Sequence, residues 1–310
     1  MAKSDKSRQY DIVIIGGGPA GLTAGLYAAR ARLKTVLLEK AMAGGQIINA
    51  DLVENYPGFP QGISGFDLGQ LMSEQATKFG LQTVIAEATG IEVGGGQKVV
   101  KTTSGDFTAK ALIIASGSER MKLGVPGEDE LTGKGVSYCA ICDAAFFKDR
   151  TVAVVGGGNA AVGEAVSLAK FASSVTVIHR RGELRATRVT QERAFAEPRI
   201  KFIWNTVVDR VVGDDFVRQL ELRRVTDGQK SSLEVAGVFV SIGFKPNTAF
   251  LKGLLPLDEL GAIITDDRME TSIKGIFAAG DIRHNSGRQV IVSAGDGAQA
   301  AINAERCLTE

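Results

Sequence analysis

The chain has 310 residues, enough for two domains and a substantial core. Its 36 basic and 35 acidic residues leave a formal net charge of +1, which gives no electrostatic case for nucleic acid or an anionic membrane surface. No apolar run is long enough to span a bilayer, the polar start MAKSDKSRQYD lacks a signal-peptide core, and three cysteines are too few for a disulfide scaffold, so a cytoplasmic protein without membrane or nucleic-acid partners is expected.

Residues 10–40, YDIVIIGGGPAGLTAGLYAARARLKTVLLEK, read as an apolar strand, a glycine turn, a helix of small residues and a second apolar strand. Gly16 allows the tight turn, Gly18 lets the backbone approach a pyrophosphate, and Gly21 packs helix on strand, with the helix N-terminus facing the anion. Glu39 ends the second strand, where a carboxylate accepts from a ribose 2′-hydroxyl and repels a 2′-phosphate. A loop-rich stretch with Gly44, Gly45, Gln46 and Pro57 leads to a helix over 66–80, and short strands from about 82 to 114 end in the buried run ALIIASG. The turn-rich segment 118–135 marks a crossing into a second unit.

That unit opens with the pair Cys139-Ala-Ile-Cys142. Cysteines at this spacing close a small disulfide ring and stabilise one thiolate; a metal half-site or two buried thiols are the bland alternatives, and no second ligand pair supports zinc. Asp143 follows, either an acid/base group beside the dithiol or a cap of the next turn. The opening motif then returns 140 positions on, as TVAVVGGGNAAVGEAVSLAKFASSVTVIHRR, with Gly156, Gly158 and Ala161 in the three key places. Opposite Glu39 it carries His179, Arg180 and Arg181, with Arg185 beyond them. Guanidinium groups bind phosphate, so the second nucleotide is expected to be NADP(H), whereas the first is a different dinucleotide. A helix near 188–197, strands over about 201–241 and a second crossing at 241–250 follow. The final portion has no nucleotide motif of its own and is expected to rejoin the first domain, making the second an insertion. In it Asp281 reads on its own as a turn cap, and Cys307 sits in a terminal helix, SAGDGAQAAINAERCL, as an inert thiol. His179 and His284 are the only histidines, which leaves no hydrolytic triad.

The landmarks GGGPAG, GGQI, ENYPGFP, CAICD, GGGNAA, HRRGELRA, GFKPNT, FAAGDIR and RQVIVSAGDGAQAA together resemble the low-molecular-weight thioredoxin reductases over essentially the whole chain. The resemblance implies an α/β fold of two Rossmann-like dinucleotide-binding domains of the three-layer ββα type. An NADPH domain, 119–246, would be inserted into a discontinuous FAD domain, 1–118 and 247–310. FAD would be contacted by Gly16, Gly18, Gly21, Glu39, Gln46, Asn55, Asp281, Arg288, Gln289 and Val290, and NADPH by Gly156, Gly158, Ala161, His179, Arg180, Arg181 and Arg185. Cys139 would attack the disulfide of a thioredoxin-like protein, Cys142 would lie beside the flavin, and Asp143 would be the acid/base. A homodimer, and rotation of the inserted domain about the crossings between half-reactions, are also implied. The chain departs from the family's common pattern at Ile141, Ala144 and Gly182; the first two touch the redox loop and bear on partner choice. Two relatives of the same fold compete: a dithiol oxidase passing electrons to oxygen, and a reductase fed by another donor such as ferredoxin. The three arginines count against both. A non-catalytic redox sensor is disfavoured by an intact CxxC-Asp beside two nucleotide motifs.

Overall fold

The computed structural model describes residues 8–50 and 52–309, except the side chains of Ile141 and Cys142, so most of the polar start and the Cys142 thiol lie outside the described residues. The chain divides into two compact units, one made of residues up to Glu119 and from Lys245 onward, the other of Arg120–Phe244.

In chain order the first unit contributes β1 (Gln9–Ile15), α1 (Pro19–Arg30), β2 (Thr35–Glu39), α2 (Gly65–Lys78), β3 (Gln82–Ile85), β4 (Ala88–Gly94), β5 (Gln97–Thr102) and β6 (Phe107–Ile114). The crossing strand β7 (Ser118–Arg120) leads to β8 (Val136–Ser137), α3 (Ala140–Asp143), β9 (Thr151–Val155), α4 (Asn159–Leu168), β10 (Ser174–Ile178) and α5 (Arg188–Ala196). Then come β11 (Ile200–Ile203), β12 (Thr206–Gly213), β13 (Val217–Arg224), β14 (Lys230–Glu234) and β15 (Gly237–Val240). The return crossing β16 (Phe244–Pro246) pairs with β7, and β17 (Ile276–Ala278) and α6 (Val290–Thr309) complete the first unit.

The first unit is three layers deep because its central strands are apolar on both faces. The parallel strands run β3-β2-β1-β6, and β6 is shared along its length. Its first half pairs antiparallel with β5 (Val100 opposite Phe107), and its second half pairs parallel with β17 (Ile113 opposite Phe277). Ile12, Ile14, Leu37 and Ile113 face α1 and α6, whereas the alternate residues Val13, Ile15, Val36 and Ile114 face the β4–β5 side and Ile263. The helices start at fitting residues: Pro19 is the first residue of α1, and the Ser64 hydroxyl accepts from the Asp67 N–H at 3.0 Å to cap α2.

The second unit repeats the plan. Its parallel sheet runs β11-β10-β9-β15-β8, with α4 and α5 against one face and the antiparallel β12-β13-β14 sheet against the other. α3 and the short turn after it pack on α4, Ala140 and Ala144 clustering with Ala161, Val162 and Ala165, so the cysteine segment rests on the helix of the second glycine motif. Among the described residues, no helix is long and apolar enough to cross a membrane.

Candidate dinucleotide and dithiol sites

In the first unit the strand β1 delivers Gly16 in a turn that only glycine fits well: its φ is +105°, and a side chain would meet the Ala115 carbonyl oxygen at 2.4 Å. Gly21 is equally constrained, since a Cβ there would lie 1.8 Å from the Gly16 carbonyl oxygen. Gly18 stands at the start of α1, where no side chain caps the helix, so its first N–H groups are left for a ligand. At the end of β2 the Glu39 carboxylate accepts from the Gly17 N–H at 2.6 Å and from the Ala41 N–H at 3.1 Å. It thus presents acceptors beside the turn, at the edge of a cavity of about 650 Å³ that also reaches Gly16, Glu87, Ser116, Lys245 and Phe250.

The remaining residues expected around FAD gather from three further segments. Gly45 packs against the Gly18 main chain, and the neighbouring Gln46 side chain donates to the Ser118 carbonyl at 3.4 Å. The Asn55 amide donates to the Gln289 side chain at 2.8 Å, joining two expected contacts 234 positions apart. Asp281 lies in the turn Gly280–Ile282 and accepts from the Ser286 and Ser293 hydroxyls at 3.1 and 3.3 Å. Burial raises its carboxyl pKa, against the pull of those bonds and of Arg288. α6 begins at Val290, three residues before the helix the sequence suggests, which puts Arg288, Gln289 and Val290 at a helix entrance.

One element of this site was not legible as a site residue. Asp296, buried on α6, makes a two-pronged ion pair with Arg283 (2.6 and 2.8 Å) and accepts from the Gly280 N–H at 3.1 Å. It locks the turn that presents Asp281. Its apolar neighbours Ala294 and Ala300 made the stretch read as an ordinary helix; the signal was a lone carboxylate on the buried face of that helix.

The second unit reproduces the turn with opposite chemistry at the strand end. Gly156 has φ +148°, Gly158 opens α4 with no side-chain cap and free space where a Cβ would be, and Ala161 is fully buried against the turn. His179 is 4% exposed and lies with its ring against the Gly157 main chain. Burial first, then Arg185, Arg181 and Arg180, lower its pKa, so it is held neutral beneath three cations. Those three arginines are exposed and clustered around it. The residues of both turns fit a dinucleotide: glycine cradles with open helix N-termini, one flanked by a carboxylate and one by guanidinium groups.

In the dithiol segment, Cys139 is disulfide-bonded, and its N–H donates to the Ser137 hydroxyl at 3.0 Å. Asp143 precedes the short turn Ala144–Phe147 and makes no side-chain capping bond to it. Phe147 anchors the end of this segment, its ring edge-on to Phe239 at 5.3 Å and seated where Gly237 has no side chain. The Cys142 side chain lies outside the described residues. Cys307 is a free thiol packed against the first unit's core, far in sequence from this segment.

The chain is similar to known proteins over its whole length. The pyridine nucleotide-disulphide oxidoreductase family matches residues 10–298. A thioredoxin reductase of Peptoclostridium litorale is 47% identical over 307 residues, covering 97% of this chain and 98% of its own. One from Peptoclostridium acidaminophilum is 46% identical over 303 residues, 96% of each chain. Among solved structures, the thioredoxin reductase of Lactococcus lactis superposes with a TM-score of 0.95 at 44% identity, over 97% of this chain and 99% of that one.

Proposed function

The chain belongs to the thioredoxin reductases within the pyridine nucleotide-disulphide oxidoreductases, which work with FAD and NADPH, and on that premise we propose that the first unit holds the FAD and the second the NADPH. The observation that carries this division is the repeat itself. One turn faces the Glu39 carboxylate, the other the exposed arginines 180, 181 and 185.

Bound FAD would supply the two-electron chemistry that links NADPH to a disulfide. The chain's own residues supply the rest. The N–H groups at the starts of α1 and α4 hold the pyrophosphates, Glu39 accepts from a ribose hydroxyl, and the guanidinium groups take the 2′-phosphate. Asp281 and the Asn55–Gln289 pair would help to hold the flavin. In the reduced dithiol, the Cys139 thiolate attacks the disulfide of a thioredoxin-like protein and displaces one of its sulfurs. Asp143 delivers the proton that the leaving thiolate takes up. Cys142 then attacks the mixed disulfide, so that the substrate leaves as a dithiol and Cys139–Cys142 returns as the disulfide. The crossings β7 and β16 are the places where a rotation between half-reactions would be absorbed. The protein acts as a homodimer in the cytoplasm.

Anaerobic titration of the purified flavoprotein tests this reading. NADPH is expected to bleach the flavin band where equimolar NADH does not, and Arg181→Ala combined with Arg185→Ala is expected to erase the difference. A flavin that stays oxidised with NADPH but bleaches with a dithiol would overturn the proposal in favour of a dithiol oxidase.

A further inference from the structure

The arginines expected at the 2′-phosphate stand on residues 180–187, a segment with no regular structure between β10 and α5. Its far end is fastened to the glycine turn at one place. The Gly157 carbonyl accepts from the Arg185 N–H at 2.7 Å and from the Ala186 N–H at 3.2 Å, and the Asn159 side-chain oxygen accepts from the Thr187 N–H at 2.7 Å. Leu184 and Ala186 are buried beneath the segment. Two of these three bonds end on a main-chain carbonyl that any sequence has. The third needs the amide of Asn159.

The repeat within the chain provides a control. In the first unit the Gly17 carbonyl likewise accepts from a following loop, at the Gly44 N–H (2.7 Å). The position equivalent to Asn159 is Pro19, which has no amide, and that loop serves a turn flanked by Glu39. The side-chain latch therefore occurs in the copy that carries arginines and not in the copy that carries a carboxylate.

We propose that Asn159 is a specificity-positioning residue: by holding Thr187 it fixes the arginine segment over the turn and so sets the preference for a 2′-phosphorylated dinucleotide. This rests on the reading that Arg180, Arg181 and Arg185 take the 2′-phosphate. Asn159 is exposed at the first position of α4, so replacing it leaves the core intact. Its amide is engaged with Thr187, and it acts through the loop.

The test is calorimetric binding of two probes to the FAD-loaded enzyme, adenosine 2′,5′-bisphosphate and 5′-AMP. Asn159→Ala is expected to weaken the bisphosphate about fivefold, the effect of one lost backbone hydrogen bond. 5′-AMP should stay within about twofold, the scatter of independent sites. In an Arg185→Ala background the same change should cost less than it does in the wild type, because one of the three arginines through which it acts is gone. Equal weakening of both probes, no weakening, or full additivity with Arg185→Ala overturns the inference alone. A wild-type enzyme that binds both probes equally overturns the arginine reading and the inference with it.

Discussion

Asp296→Ala is the sharpest probe of how the flavin side of the first unit is built. The carboxylate is 7% exposed and its partner Arg283 16%, and the change removes three bonds at once, two to the guanidinium and one to the Gly280 N–H. What remains is a largely buried cation without its counter-charge, and breaking such a pair from one side costs about 3–5 kcal/mol. For a unit of this size each kcal/mol moves the midpoint by roughly 2–4 °C, so Tm should fall by about 6–20 °C. The loss should not be purely thermal. Asp281 rides on the turn that Asp296 locks, so flavin retention should drop as well. Circular dichroism melts measure the first effect, and the ratio of flavin to protein absorbance after gel filtration measures the second. Replacing both partners with apolar residues, Arg283→Met with Asp296→Leu, should recover most of the Tm, since no unpaired charge is left. A single variant whose Tm falls by less than about 2 °C, equivalent to under about 1 kcal/mol, and which keeps its flavin would refute the reasoning.

The third small residue of each motif should not be interchangeable. Gly21→Ala drives a methyl into the Gly16 carbonyl and is expected to give flavin-poor, unstable protein, whereas Ala161→Gly should cost about 1–2 kcal/mol through helix propensity and one lost buried methyl; parallel melts in which Gly21→Ala is the milder change would contradict the packing. Glu164, on α4, pairs with Arg120 at 2.5 Å, yet burial raises its carboxyl pKa against that pull. A raised folded-state pKa means that its contribution to stability is fullest in acid and is lost as pH rises through the folded value. Glu164→Gln should therefore compare better with wild type at pH 8 than at pH 4.5, and melts showing the opposite trend would sink this account.

The local code was readable before any tertiary contact was known. Periodicity and glycine spacing located both βαβ starts, because a strand followed by a tight turn and a small-residue helix constrains consecutive residues only. Glu39 and His179-Arg180-Arg181 were readable for the same reason, since they close their own strands. What the residues do to one another was decided in three dimensions. Asn55 and Gln289 meet across 234 positions, Asp296 reaches the Gly280 turn from a different element, and β6 divides its edge between β5 and β17. As a sequence neighbour of the cysteines Asp143 could be read as an acid/base group or as a cap, and in the fold its side chain makes no capping bond to the turn Ala144–Phe147. Sequence by itself determined which nucleotide chemistry each repeat offers, because charge and backbone shape are carried within each short motif. Only the tertiary structure decided which distant carboxylates and amides hold those motifs in place, because a buried ion pair or a side-chain latch depends on where separate segments meet, and no local pattern encodes that meeting.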